Sequence, residues 1–132
     1  MVKLRSAANG YVAFIAVLIV GAAALAISLA VLLTGADSQR ATLAEQQSKQ
    51  ARALAVGCAQ EALQQIHDNI AFSGTNNLSL GQGNCTYTVA VTTPTTRSVA
   101  VTGTAGTAVR KIQANVTVGS TTISVTSWQE VL

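Results

Sequence analysis

The sequence is short of charge, aromatic side chains, proline and histidine. Of its 132 residues only 10% are charged and 4% aromatic, with one proline and one histidine. Soluble domains average about 25% charged residues, so this composition argues against an ordinary cytosolic protein. Eight basic and five acidic residues are too few for a phosphate-binding face, and no aromatic residues alternate with the basic ones. Direct nucleic-acid binding is therefore not expected.

Residues for catalysis or metal binding are equally scarce. A nucleophile needs a base and an orienting group, and the sole histidine, His67, falls on the polar side of a predicted helix. The acidic residues are spread along the chain and form no evident pair. A zinc site needs four ligands. We therefore expect that the protein is not an enzyme and that it binds neither a cofactor nor a metal ion.

What the sequence does contain is a long uncharged run. Residues 11–33 are apolar, and no charged residue lies between Ser6 and Ala36. At 1.5 Å per residue, a helix of this length crosses a hydrocarbon layer of about 30 Å. A removable secretory signal is the alternative, but its apolar region usually runs about 7 to 15 residues. We interpret residues 11–34 as a transmembrane helix.

The flanking charges predict the orientation of this span. Lys3 and Arg5 precede it, whereas the first charges after it are Asp37 and Arg40. The positive-inside rule places the amino terminus in the cytoplasm and the remainder outside. Within the span, Gly21, Ala22, Ala26 and Ala30 form a small-residue stripe that favours close helix packing, although alanine is also simply common in this chain.

The chain starts with a short basic leader, residues 1–10, which ends in Gly10 immediately before the apolar run that begins Tyr11-Val12-Ala13-Phe14. This start resembles the signal of type IV pilins and type II secretion pseudopilins. The resemblance implies that a prepilin peptidase cleaves between Gly10 and Tyr11 and that Tyr11 becomes N-methylated. Glycine has no side chain to obstruct the approach of a protease.

One position departs from the majority pattern of that family. Most pilins carry glutamate as the fifth mature residue, where this chain has Ile15. An apolar residue there is similar to K-type pseudopilins and X-type minor pilins, which begin or cap a fibre. The segments GCAQEALQQI, GNC and SWQEV also resemble short pilin-like proteins of candidate-phyla bacteria. The resemblance thus implies a minor, specialised subunit.

Beyond the span, the pattern predicts an amphipathic helix and then a sheet. Residues 35–71 contain no proline, and apolar or small residues recur on one side at Ala51, Ala55, Cys58, Ala59, Ala62, Ile66 and Ile70. From Cys85 the period changes to two, which is typical of half-buried strands. Turn residues lie at 92–96, 103–106 and 119–120.

These signals predict an α+β, pilin-like fold. A long amino-terminal helix, with a membrane half and an amphipathic half, would pack against a four-stranded antiparallel β-meander. Residues 72–84 would form the loop between helix and sheet, and residues 85–132 the sheet.

Three further features have more than one interpretation. Cys58 and Cys85 lie outside the membrane in this topology, so a structural disulfide is favoured over two free buried thiols. Arg110 and Lys111 suit an exposed sheet face or protection of a sheet edge. Trp128 suits core packing or covering of the sheet edge, with a subunit contact as the alternative.

The sequence therefore predicts a structural filament subunit of a type IV pilus or type II secretion-like system. Its expected partners are a prepilin peptidase, other pilin or pseudopilin subunits, an inner-membrane assembly platform and the lipid bilayer. It would reside in the inner membrane with its carboxyl-terminal domain outside, and at the cell surface after assembly. The alternative is an anchored extracytoplasmic binding or adhesion module that never enters a filament.

Overall fold

The computed structural model describes the backbone of residues 2–131 and the side chains of residues 10–131. Within that range the elements in order are α1 Val2–Asp68, β1 Gly74–Leu80, β2 Gly83–Thr93, β3 Thr96–Ala105, β4 Ala108–Val118 and β5 Ile123–Val131. The predicted α+β class is confirmed. The chain forms two units, residues 1–41 and 42–132, and the sheet belongs to the second. The predicted leader charges Lys3 and Arg5 and the terminal Leu132 lie outside the described side chains.

Helix α1 ends at Asp68, before the predicted end near Ala71. Asn69 causes this stop. Its backbone N–H donates to the Gln65 carbonyl at 3.0 Å, while its side-chain oxygen accepts from the Ala71 N–H at 3.1 Å. Asparagine side chains offer the backbone a turn in place of further helix.

The amphipathic part of α1 buries the side that the sequence pattern indicates. Its buried residues are mostly small: Ala51, Ala55, Cys58, Ala59, Ala62 and Ile66, together with Leu54. Ile70, the last residue of the predicted stripe, is exposed because it lies beyond the end of the helix. Small side chains on this face let the helix backbone approach the sheet closely.

The prediction of four strands is wrong, because the sheet has five among the described residues, in the order β1-β2-β3-β4-β5, with every neighbouring pair antiparallel. The additional strand β1 lies inside the predicted loop 72–84. Its sequence, GTNNLSL, shows little apolar alternation, so its side chains give no strand signal. Backbone pairing with β2 forms it instead, through a two-residue turn in which Gly81 adopts a φ of 62°.

The core lies between α1 and the middle three strands. The inward side chains are Cys85, Tyr87 and Val89 on β2, Val99, Val101 and Ala105 on β3, and Ile112, Ala114, Val116 and Val118 on β4. Their period of two is the predicted one.

Gly103 is a strand residue in this core, although the sequence places it in a turn. The β3–β4 turn falls later, at Gly106 and Thr107. A Cβ atom added to Gly103 would lie 2.7 Å from the backbone nitrogen of Ala55. Glycine is therefore needed at this position so that helix and sheet can meet.

Candidate functional site

The apolar segment of α1 presents its side chains to the surroundings. Its large apolar residues, Tyr11 to Leu33, are between 37% and 71% exposed. The hydroxyls of Ser28 and Thr34 donate to the carbonyl oxygens of Ala24 and Ala30 at 2.8 and 2.6 Å. These two hydroxyl groups are therefore satisfied within the helix, as hydrocarbon requires. By length and composition, this one helix near the amino terminus can cross a membrane.

The residues of the predicted cleavage and packing sites all lie on this helix. Gly10 is exposed, and a Cβ atom added to it would meet nothing within 4 Å. Glycine inside a helix costs about 1 kcal/mol relative to alanine, so Gly10 locally weakens the helix beside Tyr11. Gly21, Ala22, Ala26 and Ala30 are likewise exposed. Cleavage, methylation and packing at these residues remain predictions.

A disulfide joins Cys58 of α1 to Cys85 of β2. Both residues are fully buried, and their Cα atoms lie 6.2 Å apart. The bond fastens the helix to the sheet at the centre of the core. Reduction therefore requires the domain to open, at least locally, because no thiol reagent can reach buried sulfur atoms directly.

Charged side chains gather where α1 meets β4 and β5, a cluster the sequence did not predict. Arg52 Nε lies 3.0 Å from Glu130 Oε2, and an Arg110 Nη atom lies 3.9 Å from Glu130 Oε1. Arg110 also donates from Nε to Ser48 Oγ at 3.1 Å. Together with Glu45 and Lys49, these residues line an open groove of about 550 Å³. Arg110 thus binds the helix, rather than serving only as an exposed or edge residue.

Glu45 and Lys49 form an exposed ion pair at the rim of that groove. Their charged atoms lie 2.8 Å apart, one helical turn from each other. The hydrogen bond from Lys49, and secondly its positive charge, hold the pKa of Glu45 below its ordinary value. Exposed pairs of this kind contribute little to stability.

Arg97 is a buried cation that was not predicted from the sequence. Its side chain is 6% exposed and lies on the inward face of β3 with Val99 and Val101. The alternation along β3 could have identified it, because a period of two places Arg97 on the buried face of the strand. The guanidinium donates to backbone carbonyls, including that of Ile70 beyond the end of α1. Arg97 therefore has a structural role, because it joins β3 to the chain beyond the end of α1.

The residues considered for chemistry do not converge. His67 Nδ1 lies 3.5 Å from Asp68 Oδ1, and both side chains are 61% exposed. In the part of the chain that the structure describes, no three His, Cys, Asp or Glu residues form a group that could hold a metal ion. Trp128, predicted to pack in the core or cover the sheet edge, is 43% exposed on β5.

Comparison with known proteins yields no relative. No family model, no curated protein and no solved structure matches this chain.

Proposed function

We propose that this chain is a structural subunit, of the minor pilin or pseudopilin type, of an extracytoplasmic filament. The observation that carries the proposal is α1 itself. Residues 11–33 of this helix are uncharged, apolar and exposed, whereas residues 51–66 bury one face against an antiparallel sheet. An apolar surface of this size needs lipid or protein around it.

A filament subunit uses such a helix in two successive environments. Before assembly, residues 11–34 lie in the inner membrane, held there by their apolar length. During assembly the same residues leave lipid and pack against the corresponding helices of neighbouring subunits. The stripe of Gly21, Ala22, Ala26 and Ala30 suits that packing, because small residues let helix backbones approach.

Maturation in this proposal takes place on the cytoplasmic side. A prepilin peptidase cleaves after Gly10, and the new amino group on Tyr11 is methylated. Ile15 stands where most pilins have glutamate, so this subunit lacks the carboxylate that would contact a neighbour's amino terminus. We therefore propose a specialised position, at the tip or the start of the filament, rather than the shaft.

The second unit, residues 42–132, suits an oxidising environment outside the cytoplasm. The buried Cys58–Cys85 bond is of the kind that persists outside the cytoplasm. The outward faces of its strands carry threonine, serine and asparagine and few charges. We propose a role in assembly and not in catalysis, since the described side chains offer neither a paired carboxylate site nor a histidine beside a nucleophile.

Cleavage after Gly10 provides the direct test. The chain is produced in cells with an active prepilin peptidase, and its intact mass is measured from the membrane fraction. We expect loss of residues 1–10 and methylation of Tyr11. The variant Gly10→Val should retain the leader, because its side chain obstructs the peptidase.

The matched control is Gly21→Val, a second helical glycine with nothing within 4 Å of an added Cβ. It should be processed like the natural chain. Retention of the leader by the natural chain beside an active peptidase would contradict the proposal.

A further inference from the structure

Strand β1 forms an edge of the sheet, and its outer side has no strand beside it. It is first in the order β1-β2-β3-β4-β5, so among residues 2–131 it pairs only with β2. Six of its seven residues are exposed, and Leu78 alone is half-buried. At about 3.4 Å per residue, this free edge is about 24 Å long. An edge strand presents a row of unpaired backbone donors and acceptors.

The register of the β1–β2 hairpin identifies those backbone groups. Leu80 and Gly83 flank the two-residue turn as a hydrogen-bonded pair, and from there bonded and non-bonded pairs alternate. The residues whose N–H and C=O groups are directed away from β2 are therefore Thr75, Asn77 and Ser79. The Asn77 N–H supports this assignment, because it donates to the side-chain oxygen of Asn76 at 3.0 Å.

Strand β1 lacks the features that usually protect a sheet edge from pairing. Such features are charged side chains, proline and β-bulges. The sequence of β1, GTNNLSL, contains no charge and no proline, and its register with β2 is regular. The opposite edge, β5, contains Glu130, and Thr126 is an extra residue in its register with β4. Of the two edges, β1 is therefore the one suited to accept a strand.

The two faces of β1 determine which side chains suit a strand beside it. On the core face, Leu78 lies opposite the buried Cys85 and packs against the core, while Leu80 is 49% exposed. Apolar residues of an incoming strand would cover these leucines. The outward face carries the hydroxyl and amide groups of Thr75, Asn77 and Ser79. The matching segment therefore alternates apolar with uncharged polar residues.

The β1 strand of a second copy matches this edge poorly. Antiparallel pairing along the whole strand would place Asn76 of one copy beside Leu78 of the other, and Gly74 beside Leu80. An amide would then lie against one leucine, and the other leucine would face no side chain. The edge is better suited to a segment of a different protein.

We propose that the outer edge of β1 binds an extended segment of another protein, which adds a strand to the five-stranded sheet. Backbone hydrogen bonds to Thr75, Asn77 and Ser79 supply the affinity, and the alternation of side chains supplies the specificity. This inference does not depend on the proposed function. The edge belongs to the second unit, residues 42–132, and serves a filament subunit and an anchored module equally.

A labelled peptide tests whether this edge accepts a strand. The peptide has the sequence of residues 84–91 with the change Cys85→Val, because β2 has the required alternation of apolar and uncharged polar residues. Its binding to the full chain in detergent micelles is measured by fluorescence anisotropy. We expect saturable binding to the natural chain.

Two substitutions at Asn77 separate backbone pairing from recognition of the side chain. Asn77→Pro removes the N–H at the middle of the free edge but no bond of the β1–β2 ladder, so we expect peptide binding at least about tenfold weaker. The matched control, Asn77→Ala, keeps the N–H and should bind the peptide like the natural chain. Resistance of Cys58 and Cys85 to alkylation shows that each variant is folded.

Photo-crosslinking in cells identifies the bound segment. A photo-crosslinking amino acid replaces Thr75, Asn77 or Ser79 in three separate variants, and crosslinked peptides are identified by mass spectrometry. We expect all three to map to one segment of another protein, at positions two residues apart, because a paired strand has a period of two. The control carries the same amino acid in place of Gln113, which is exposed on the inner strand β4, and should give no crosslink to that segment.

The outcomes decide this proposal separately from the proposed function. Failure of the natural chain to bind the peptide, or equal binding by Asn77→Pro and Asn77→Ala, would overturn it. Crosslinks to β1 of a second copy, to scattered positions or to nothing would also overturn it. Each of these results would leave the filament role standing. Absence of the chain from filaments would overturn the filament role and leave the strand-accepting edge standing.

Discussion

Arg97 Nη2 donates a hydrogen bond of 2.9 Å to the carbonyl oxygen of Ile70, and so joins β3 to the chain just beyond the end of α1. Nη1 of the same side chain donates to the carbonyl of Thr93 at 2.9 Å and to those of Pro94 and Thr96 at 3.3 Å. Nε has no partner among the described residues. Backbone carbonyls and the negative end of the helix thus stabilise this buried charge.

Replacement of Arg97 by methionine should destabilise the domain. The variant Arg97→Met keeps the apolar stem but removes the hydrogen bonds from the guanidinium to four backbone carbonyls, so we expect the free energy of unfolding to fall by about 2–4 kcal/mol. Denaturant unfolding of the full chain in detergent micelles, followed by circular dichroism, measures it. Lys111→Met, at an exposed site on the next strand, should change it by less than about 0.5 kcal/mol. Equal losses of the free energy of unfolding in the two variants would contradict the stabilising role of the Arg97 hydrogen bonds.

Replacement by alanine should change the free energy of unfolding in opposite directions at two glycines. At Gly103 the new Cβ would lie 2.7 Å from Ala55 N, so Gly103→Ala should lower the free energy of unfolding by about 1–3 kcal/mol. At Gly57, on the exposed side of α1, nothing lies within 4 Å, so Gly57→Ala should raise it by about 0.5–1 kcal/mol. The same unfolding measurement compares them, and a stable Gly103→Ala would exclude the close approach of helix and sheet.

The disulfide should contribute a large part of the stability of the second unit, residues 42–132. Cys58 and Cys85 are separated by 27 residues in sequence, and the chain-entropy estimate for a loop of that size is about 3.5 kcal/mol. The double variant Cys58→Ala with Cys85→Ala should lose about that much free energy of unfolding. In the natural chain, alkylation of either cysteine should require both reductant and denaturant. Modification under native, non-reducing conditions would contradict the buried bond.

The Glu45–Lys49 pair predicts a specific acid titration. Because Lys49 lowers the pKa of Glu45, the stabilisation is present above the ordinary value of 4.5 and is lost as the pH falls through the lowered pKa. In the variant Lys49→Met, carboxyl NMR titration should give Glu45 a higher pKa than in the natural chain. An unchanged pKa of Glu45 in the variant would contradict the ion pair.

The parts of the fold that depend on side-chain periodicity were predictable from sequence. The 3.6-residue pattern of α1 and the alternation in β2, β3 and β4 both mark buried faces, and the cysteine pairing followed from placing both residues outside the membrane. Strand β1 was missed because backbone pairing forms it, with little help from its side chains. Gly103 was taken for a turn because a glycine required by helix–sheet contact has the same local signal as one required by a turn.

The candidate surfaces were less accessible to sequence reasoning. The uncharged apolar run was evident, but the exposure of Trp128 and Val125 arises only because α1 covers β4 and leaves these two residues of β5 uncovered. A bulge between Asn115 and Val116 of the β4 register also changes which β5 residues face inward. Neither effect can be predicted from the local sequence of residues 123–131.

Recovery of this chain from sheared filaments is the sharpest test of whether it is a filament subunit. Cells with an active prepilin peptidase are sheared, the released filaments are purified, and the intact mass of this chain is measured in the filament and membrane fractions. We expect the chain to be present in the filaments, to start at Tyr11 and to retain its apolar helix. A chain that is found only in the membrane fraction while other subunits leave with the filaments would contradict it, and would favour an anchored binding module.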